Sequence, residues 1–424
     1  MADDRPFFKR VLDNGIRVVA ERVPYVKSVS LGIWVEAGSR DEEDRVAGIS
    51  HFVEHMFFKG TRRRNAFEIA QEMDGLGGEL NAFTSREATT FYVKVLDEHL
   101  DQAIDLLGDI FHHSLFDPAE IEREKQVILE EIKMVEDDPE DLIHDLHTQN
   151  LWRGSSLGRP ILGEPGTVKK ITRSQILSHL SEHYHNDRIV IAAAGNFSPS
   201  RLTTRLNRVF GRARPRSTAA PRRRPPKADG QLLIKRKALT QVHLCLGLKG
   251  IPLPRPDRYA AYVLNALLGG SMSSRLFQEI RERRGLVYSI YSHLSGFRDA
   301  GLFTVYAATS EKSADQVLRL VMKELKRLRT HGVGRDELER TLNHVKGGIM
   351  LSLESTSSRM SRLARDEIYF GRYFTLKDIV GEVDKINRRQ IHRLAEELLD
   401  PREASLTILG PLSSPPKSVR PLFS

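Results

Sequence analysis

Gly48-Ile-Ser-His51-Phe-Val-Glu54-His55-Met-Phe-Phe-Lys-Gly-Thr61 is the stretch whose reading decides this chain. Residues three and four apart share a helix face, so His51, Glu54 and His55 are expected to project together from one side of a short helix. Two imidazoles at that spacing can share one Zn²⁺, and a carboxylate beside them can take a proton from activated water. The order His-x-x-Glu-His reverses the commoner His-Glu-x-x-His zinc helix. In a chain with 15 His among 424 residues, the motif needs a second signal before it carries an assignment.

A zinc site of this kind needs a third protein ligand, with a further position open for water. Downstream, Asp117-Pro118-Ala119-Glu120 opens a helix expected to run from Ile121 to about Val135. Asp117 suits the N-cap, Pro118 the first helical position and Glu120 a capping box. The apolar stripe of this helix reads Ile121, Ile128, Ile132 and Val135, and Glu124 and Glu131 fall inside it, two turns apart. A carboxylate in a core-facing stripe is costly unless it is paired or binds a metal. Glu131 is therefore the expected third ligand, with Glu124 behind it as a supporting carboxylate. The alternative is a pair of acids bonded to nearby Arg or Lys. Glu122, Glu130 and Glu136 fall off the stripe and are expected to be surface charge.

His51-x-x-Glu54-His55, 75 intervening residues and then Glu131 resemble the inverted zinc site of the pitrilysin family, the inverzincins. The segment Gly48 to Thr61 is most similar to the beta subunit of the mitochondrial processing peptidase and its bacterial relatives, and the similarity extends over essentially the whole chain. The resemblance implies a zinc metalloendopeptidase with one Zn²⁺ per chain on His51, His55 and Glu131. In that scheme Glu54 is the general base and Glu124 a further catalytic carboxylate. Peptides or unfolded polypeptide segments would be hydrolysed in an enclosed chamber.

Two more segments gain meaning from the same resemblance. Within Gly269-Gly270-Ser-Met-Ser-Ser-Arg-Leu-Phe-Gln-Glu-Ile-Arg281-Glu-Arg-Arg-Gly-Leu-Val-Tyr288, Arg281 and Tyr288 match an Arg and a Tyr that hold the peptide and polarise its scissile carbonyl. The plainer reading makes Arg281 a surface helix charge and Tyr288 a core strand residue. Gly77-Gly78-Glu79-Leu80-Asn81-Ala82-Phe83-Thr84 resembles the family's substrate-binding edge strand, so Asn81, Ala82, Phe83 and Thr84 are expected to meet an extended peptide. An internal strand is the alternative there. A two-domain chain holding both elements resembles the self-sufficient bacterial form, a homodimer whose Arg281 and Tyr288 serve the partner's zinc. The competing function is a non-catalytic scaffold, like the core subunits of the respiratory cytochrome complex. Those commonly carry an eroded motif, whereas three ligands and the base all stand here.

At 424 residues the chain exceeds what one hydrophobic core usually supports. A Pro- and Arg-rich stretch between Gly211 and Gly230 reads as a linker. The expected division is a zinc-binding domain over residues 1–211, a linker over 212–229 and a homologous domain without zinc over 230–424. Strand-like Val29 to Val35 before the zinc helix is matched by Val242 to Leu248 before a helix through Tyr259 and Leu268. Sliding by 210 residues sets His51, Glu54 and His55 against Ala261, Leu264 and Asn265, so the second copy keeps the scaffold and loses the ligands. A hairpin at Asp13-Asn14-Gly15 and a helix from Asp97 to His113 complete an α+β class: two related domains, each a mainly antiparallel sheet packed with helices.

The formal net charge of +9 gathers in short clusters, Arg62-Arg63-Arg64 and Arg222-Arg223-Arg224, expected in solvated loops. No zinc finger or aromatic interleaving accompanies them, so nucleic acid is not an expected partner. No stretch approaches the roughly 20 apolar residues that cross a bilayer, so no membrane partner is expected either. The N-terminus has acids and no apolar signal core. The lone Cys245 suits a reducing compartment, and the expectation is a cytoplasmic bacterial protein.

Overall fold

The computed structural model describes residues 6–211, 223, 225–228, 231–412 and 414–418. Most of the expected linker, with Arg222 and Arg224, lies outside them. Two compact units account for the rest. One comprises Met1–Lys133, Arg159–Arg223 and Ser352–Tyr373, the other Met134–Gly158, Arg224–Leu351 and Phe374–Ser424.

The first unit is built on a six-stranded sheet in the order β1-β2-β6-β3-β5-β4. Its strands are β1 (Phe7–Val11), β2 (Arg17–Arg22), β3 (Ser28–Val35), β4 (Glu79–Thr84), β5 (Thr89–Leu96) and β6 (Ile189–Gly195). The β1–β2 hairpin turns at Asp13-Asn14-Gly15, where Gly15 takes φ 94° and the Asn14 side chain accepts the Ile16 N–H at 3.2 Å. Only β2 and β6 run parallel; every other pairing is antiparallel.

Strand β6 is buried along its whole length, because both sheet faces are covered. Ile189, Ile191 and Ala193 join the core beneath the helices Ile49–Phe57 (α1) and Leu100–His113, while Val190, Ala192 and Ala194 meet Met360, Leu363 and Ala364 of the helix Thr356–Phe370. Strand β3 divides the same way, with Leu31 and Ile33 on the first face and Trp34 on the second.

The second unit repeats the plan on five strands: β7 (Leu232–Arg236), β8 (Val242–Lys249), β9 (Val287–Gly296), β10 (Gly301–Thr309) and β11 (Ser405–Gly410). Their order is β7-β11-β8-β10-β9, and again one pair, β7 with β11, is parallel. Ala261 and Leu264, opposite His51 and Glu54 in the repeat, are fully buried, and Asn265 accepts a hydrogen bond from Ser292 at 2.9 Å.

Compactness and chain order part company at two helices. The helix Pro139–Leu151 comes from the first half of the sequence but packs Leu142 and Ile143 onto Cys245 and Leu409 of the second sheet. The helix Thr356–Phe370 comes from the second half and covers the first sheet, with Ser30 and Thr356 hydroxyls 2.9 Å apart. Boundaries drawn at 211 and 230 follow the chain and miss this exchange. An amphipathic helix shows that it needs an apolar face, not which sheet supplies one.

Two charge clusters also differ from expectation. Arg64 is not solvated; it bonds Glu72, Asp105 and buried Asp109, at 2.6, 3.0 and 2.8 Å. Arg223 meets Asp41 at 2.7 Å and Glu87 at 3.3 Å within the first unit. In both places desolvated carboxylates draw the guanidinium inward, since a buried acid is costly without a partner.

Candidate metal centre

α1 begins at a constrained corner. Gly48 adopts φ 96°, and a Cβ there would lie 2.6 Å from the Leu162 carbonyl oxygen. The Glu42 carboxylate closes the helix N-terminus, accepting the Gly48 N–H at 2.7 Å and the Ser50 N–H at 2.8 Å. Burial pushes the Glu42 carboxyl up to about 7, opposed by those backbone bonds. Ile49, Phe52, Val53, Met56 and Phe57 anchor the opposite face in the core. His51, Glu54 and His55 are left half-buried on the remaining face.

The facing helix, α2 (Pro118–Asp137), starts where its sequence indicates, with the Asp117 side chain accepting the Ala119 and Glu120 N–H groups at 2.8 and 3.3 Å. Ile121, Ile128 and Ile132 are buried, Val135 only half so, and Glu122, Glu130 and Glu136 are exposed. Glu124 is buried within the stripe; Glu131, two turns on, is half-buried.

The two helices bring His51, His55 and Glu131 together. One ligand atom from each lies within 4.8 Å of the others, the one such group of three or more His, Cys, Asp or Glu among the described residues. Glu131 Oε2 stands 3.8 Å from His51 Nε2 and 3.5 Å from His55 Nε2. Ligands about 2.0–2.1 Å from a tetrahedral ion sit about 3.3–3.4 Å apart, so these separations fit one Zn²⁺ after small adjustment. Two imidazole nitrogens, a carboxylate and an open flank beside Glu131, whose side chain is 35% exposed, suit that metal.

The neighbours divide the labour. His55 Nδ1 is 3.0 Å from Glu124 Oε2, and Lys59 Nζ is 2.6 Å from Glu124 Oε1. This is the carboxylate–histidine arrangement that holds a ring at one nitrogen and would leave the other, His55 Nε2, for a metal. Burial alone would lower the His55 pKa, but the hydrogen bond to Glu124 and the charges of Glu131, Glu124 and Glu54 raise it. Glu124 is held below the usual carboxylate range by His55 and Lys59 against the opposing effect of burial. His51 has no such acid at its Nδ1, which is buried without a hydrogen-bond partner among the described residues. Burial, with a smaller push from His55, lowers its pKa to about 4, so the ring is neutral and able to bind metal at physiological pH.

Glu54 lies beside this group. Burial raises its pKa, and its Oε2 accepts a hydrogen bond from the Thr84 hydroxyl at 2.5 Å. Thr84 ends β4, the outer strand of the sheet, which pairs with β5 alone. Asn81 and Phe83 are exposed on that edge, and Ala82 and Thr84 are half-buried toward α1. The Ala82 N–H is taken by the Asn81 side-chain carbonyl at 2.8 Å. Sequence reasoning missed Lys59 and Glu42. Lys59 stands in the quoted motif without a periodicity that would single it out, and Glu42 precedes the helix in a run of mixed charge.

In the second unit the seven-residue spacing brings Arg281 and Tyr288 into contact. The guanidinium stands 4.7 Å from the Phe277 ring centroid and 5.1 Å from that of Tyr288. Tyr288 is the second residue of the edge strand β9 and is 79% exposed, so it is not a core residue. In the same unit Asp138 caps the helix Pro139–Leu151, and Glu140 accepts a hydrogen bond from the Tyr291 hydroxyl at 2.7 Å.

The pattern of the insulinase family, peptidase family M16, matches residues 17–165, and that of the peptidase M16 inactive domain matches residues 170–345. An uncharacterized zinc protease of Bacillus subtilis, YmxG, is 42% identical across 95% of this chain and 98% of its own length. The chain belongs to the M16 peptidase family. A second relative in that family, an uncharacterized zinc protease of Streptomyces coelicolor, is 39% identical over 95% of this chain and 89% of its own. Among solved structures, a protease from Helicobacter pylori superposes with a TM-score of 0.89 at 21% identity, covering 96% of this chain and 99% of that one. A chain of the Candida albicans complex III₂ superposes with a TM-score of 0.85 at 22% identity, covering 98% and 99%. At such identities these two establish the M16 fold and nothing of activity.

Proposed function

We propose that this protein is a zinc-dependent endopeptidase acting on extended peptides or unfolded polypeptide segments. One observation carries the reading: two helices far apart in sequence present His51, His55 and Glu131 to a common point with Glu54 beside them. The names of its bacterial relatives, zinc proteases, support the same class. The fold also occurs in a chain of complex III₂, and the competing reading is a scaffold subunit, but a scaffold has no use for the full ligand set and base.

His51, His55 and Glu131 would hold the ion. Zn²⁺ bound there supplies Lewis-acid activation of water and of the scissile carbonyl. Glu54 accepts the proton of the attacking water and delivers it to the leaving amine, and its raised pKa suits both transfers. Glu124 holds the His55 ring at Nδ1. The free edge of β4 receives the peptide as an added strand, whose main-chain bonds tolerate many sequences. Arg281 and Tyr288, paired and accessible, donate to the peptide carbonyl.

In this reading the working form is a homodimer in which those two residues serve the partner's centre, and the reaction proceeds in an enclosed chamber. A cytoplasmic bacterial setting accords with Cys245, a buried free thiol. The test is digestion of a mixed peptide library by wild type and Glu54→Gln, each with and without a chelator. Cleavage by wild type should stop with the chelator and be absent in the variant, which should still bind zinc. Cleavage that survives both would sink the assignment.

A further inference from the structure

We propose that Thr84 is a positioning residue that orients Glu54 for proton transfer and ties the base to the strand that receives the peptide. The inference rests on the endopeptidase reading and goes beyond it. Thr84 Oγ1 donates to Glu54 Oε2 at 2.5 Å, and among the described residues this is the hydrogen bond that the Glu54 side chain makes. That bond restricts the turning of the carboxylate and leaves Oε1 open to a water proton.

Thr84 itself is set in a rigid frame. It pairs with Thr89 at the closed end of the β4–β5 hairpin. The turn that follows is closed by Ser85 N–H to the Ala88 carbonyl at 2.8 Å and by the Ser85 side chain bonding both main-chain groups of Ala88. The loop before α1 then grips this turn: Ser39 and Arg40 N–H groups donate to the Ser85 and Arg86 carbonyls at 3.2 and 2.9 Å. No side chain could be tolerated at Gly38, where a Cβ would meet the Ser85 carbonyl oxygen at 2.2 Å. Glu87 in the turn is fastened by Arg40 at 2.7 Å, Tyr369 at 2.9 Å and Arg223, which donates to its carbonyl at 3.1 Å.

The main chain of this edge thus sets where the Thr84 side chain starts, and its hydroxyl reaches Glu54 from there. A peptide added along β4 stiffens the same strand, so docking and base alignment share one element. The alternative, a Thr kept for packing, would be met as well by Val, which has the same shape without the donor.

The experiment compares wild type, Thr84→Val and Thr84→Ser as zinc-loaded full-length proteins, on a fluorogenic peptide chosen from those wild type cleaves. For Thr84→Val, kcat should fall about tenfold or more, as for a misaligned reacting group. KM and zinc content should stay within about twofold, and Thr84→Ser should recover most of the rate. Crystals of Thr84→Val should show the Glu54 carboxylate turned from its wild-type position. Unchanged kcat, loss of zinc together with rate, failure of Ser to restore turnover, or an unmoved Glu54 would each overturn the inference. If wild type cleaves no peptide at all, the endopeptidase reading fails instead, and the Glu54 position in the Val crystals still decides the structural claim.

Discussion

Glu124→Gln isolates what the buried carboxylate does for the metal centre. The substitution keeps shape and volume and removes one charge. In the native protein Glu124, with a side chain only 3% exposed, accepts from two donors, His55 Nδ1 at 3.0 Å and the Lys59 ammonium at 2.6 Å. A glutamine can offer its carbonyl to one of them; its NH₂ must then face the other, a donor against a donor. One charge-assisted bond is thus lost, about 1.5–3 kcal/mol. If that loss falls on the orientation of His55, zinc affinity drops about 10- to 150-fold, which overlaps the range known for ligand-supporting partners. Lys59 is partly exposed and can swing to water, so the lower part of the range is the firmer expectation. Competition with a chromophoric chelator at neutral pH measures the affinity, and far-UV circular dichroism checks the fold. An affinity within about twofold of wild type, in a folded variant, would refute the argument that Glu124 serves the metal through His55.

Two further outcomes follow from the same structure. Ala82→Pro removes the N–H now bonded to the Asn81 side chain on the free edge of β4, where proline is tolerated; KM for an extended peptide should rise about fivefold with zinc content unchanged, and an unchanged KM would move the peptide elsewhere. His147 and His179 are buried, and burial foremost, with neighbouring histidines, lowers each pKa to about 3, below the unfolded value near 6.5. The unfolded chain then binds more protons between those limits, so stability is intact above about pH 6.5 and falls by about 1.4 kcal/mol per pH unit per histidine as the pH drops toward 3. Urea denaturation across pH 7 to 4.5 should show a shallower loss for His147→Gln than for wild type; identical slopes would mean that His147 is not held neutral.

Much of the centre could be read before any coordinates, because its parts obey helix arithmetic. Two histidines four apart and two acids seven apart have few ways to face anywhere but one side of their helices, and the Asp117-Pro118 start fixes the phase of the second helix. The hairpin and the repeat were legible for similar reasons, since local turn chemistry and strand periodicity are written in adjacent residues. Long-range choices were not. Arg64 and Arg223 sit in runs of arginine that look solvated, and only the fold reveals the buried acids that draw them in. Nothing near Lys59 announces that Glu124 will stand 2.6 Å away. Nor does the pattern Leu142, Ile143, Leu146 say that its helix will close the second sheet in place of the first.

That traded pair of helices bears on how the chain can be cut, circularised or assembled. A fragment ending at residue 211 would bring the helix Pro139–Leu151 without the sheet it shields, and would leave Trp34, Val190 and Ala192 bare where Met360 and Leu363 now rest. The complementary fragment would suffer the reciprocal exposure at Cys245 and Leu409. Neither piece should be soluble alone, whereas co-expressed pieces should rescue one another. On the ribosome, too, the first sheet must wait for residues near 360 before its outer face is sealed, so folding of this chain finishes late and as a whole.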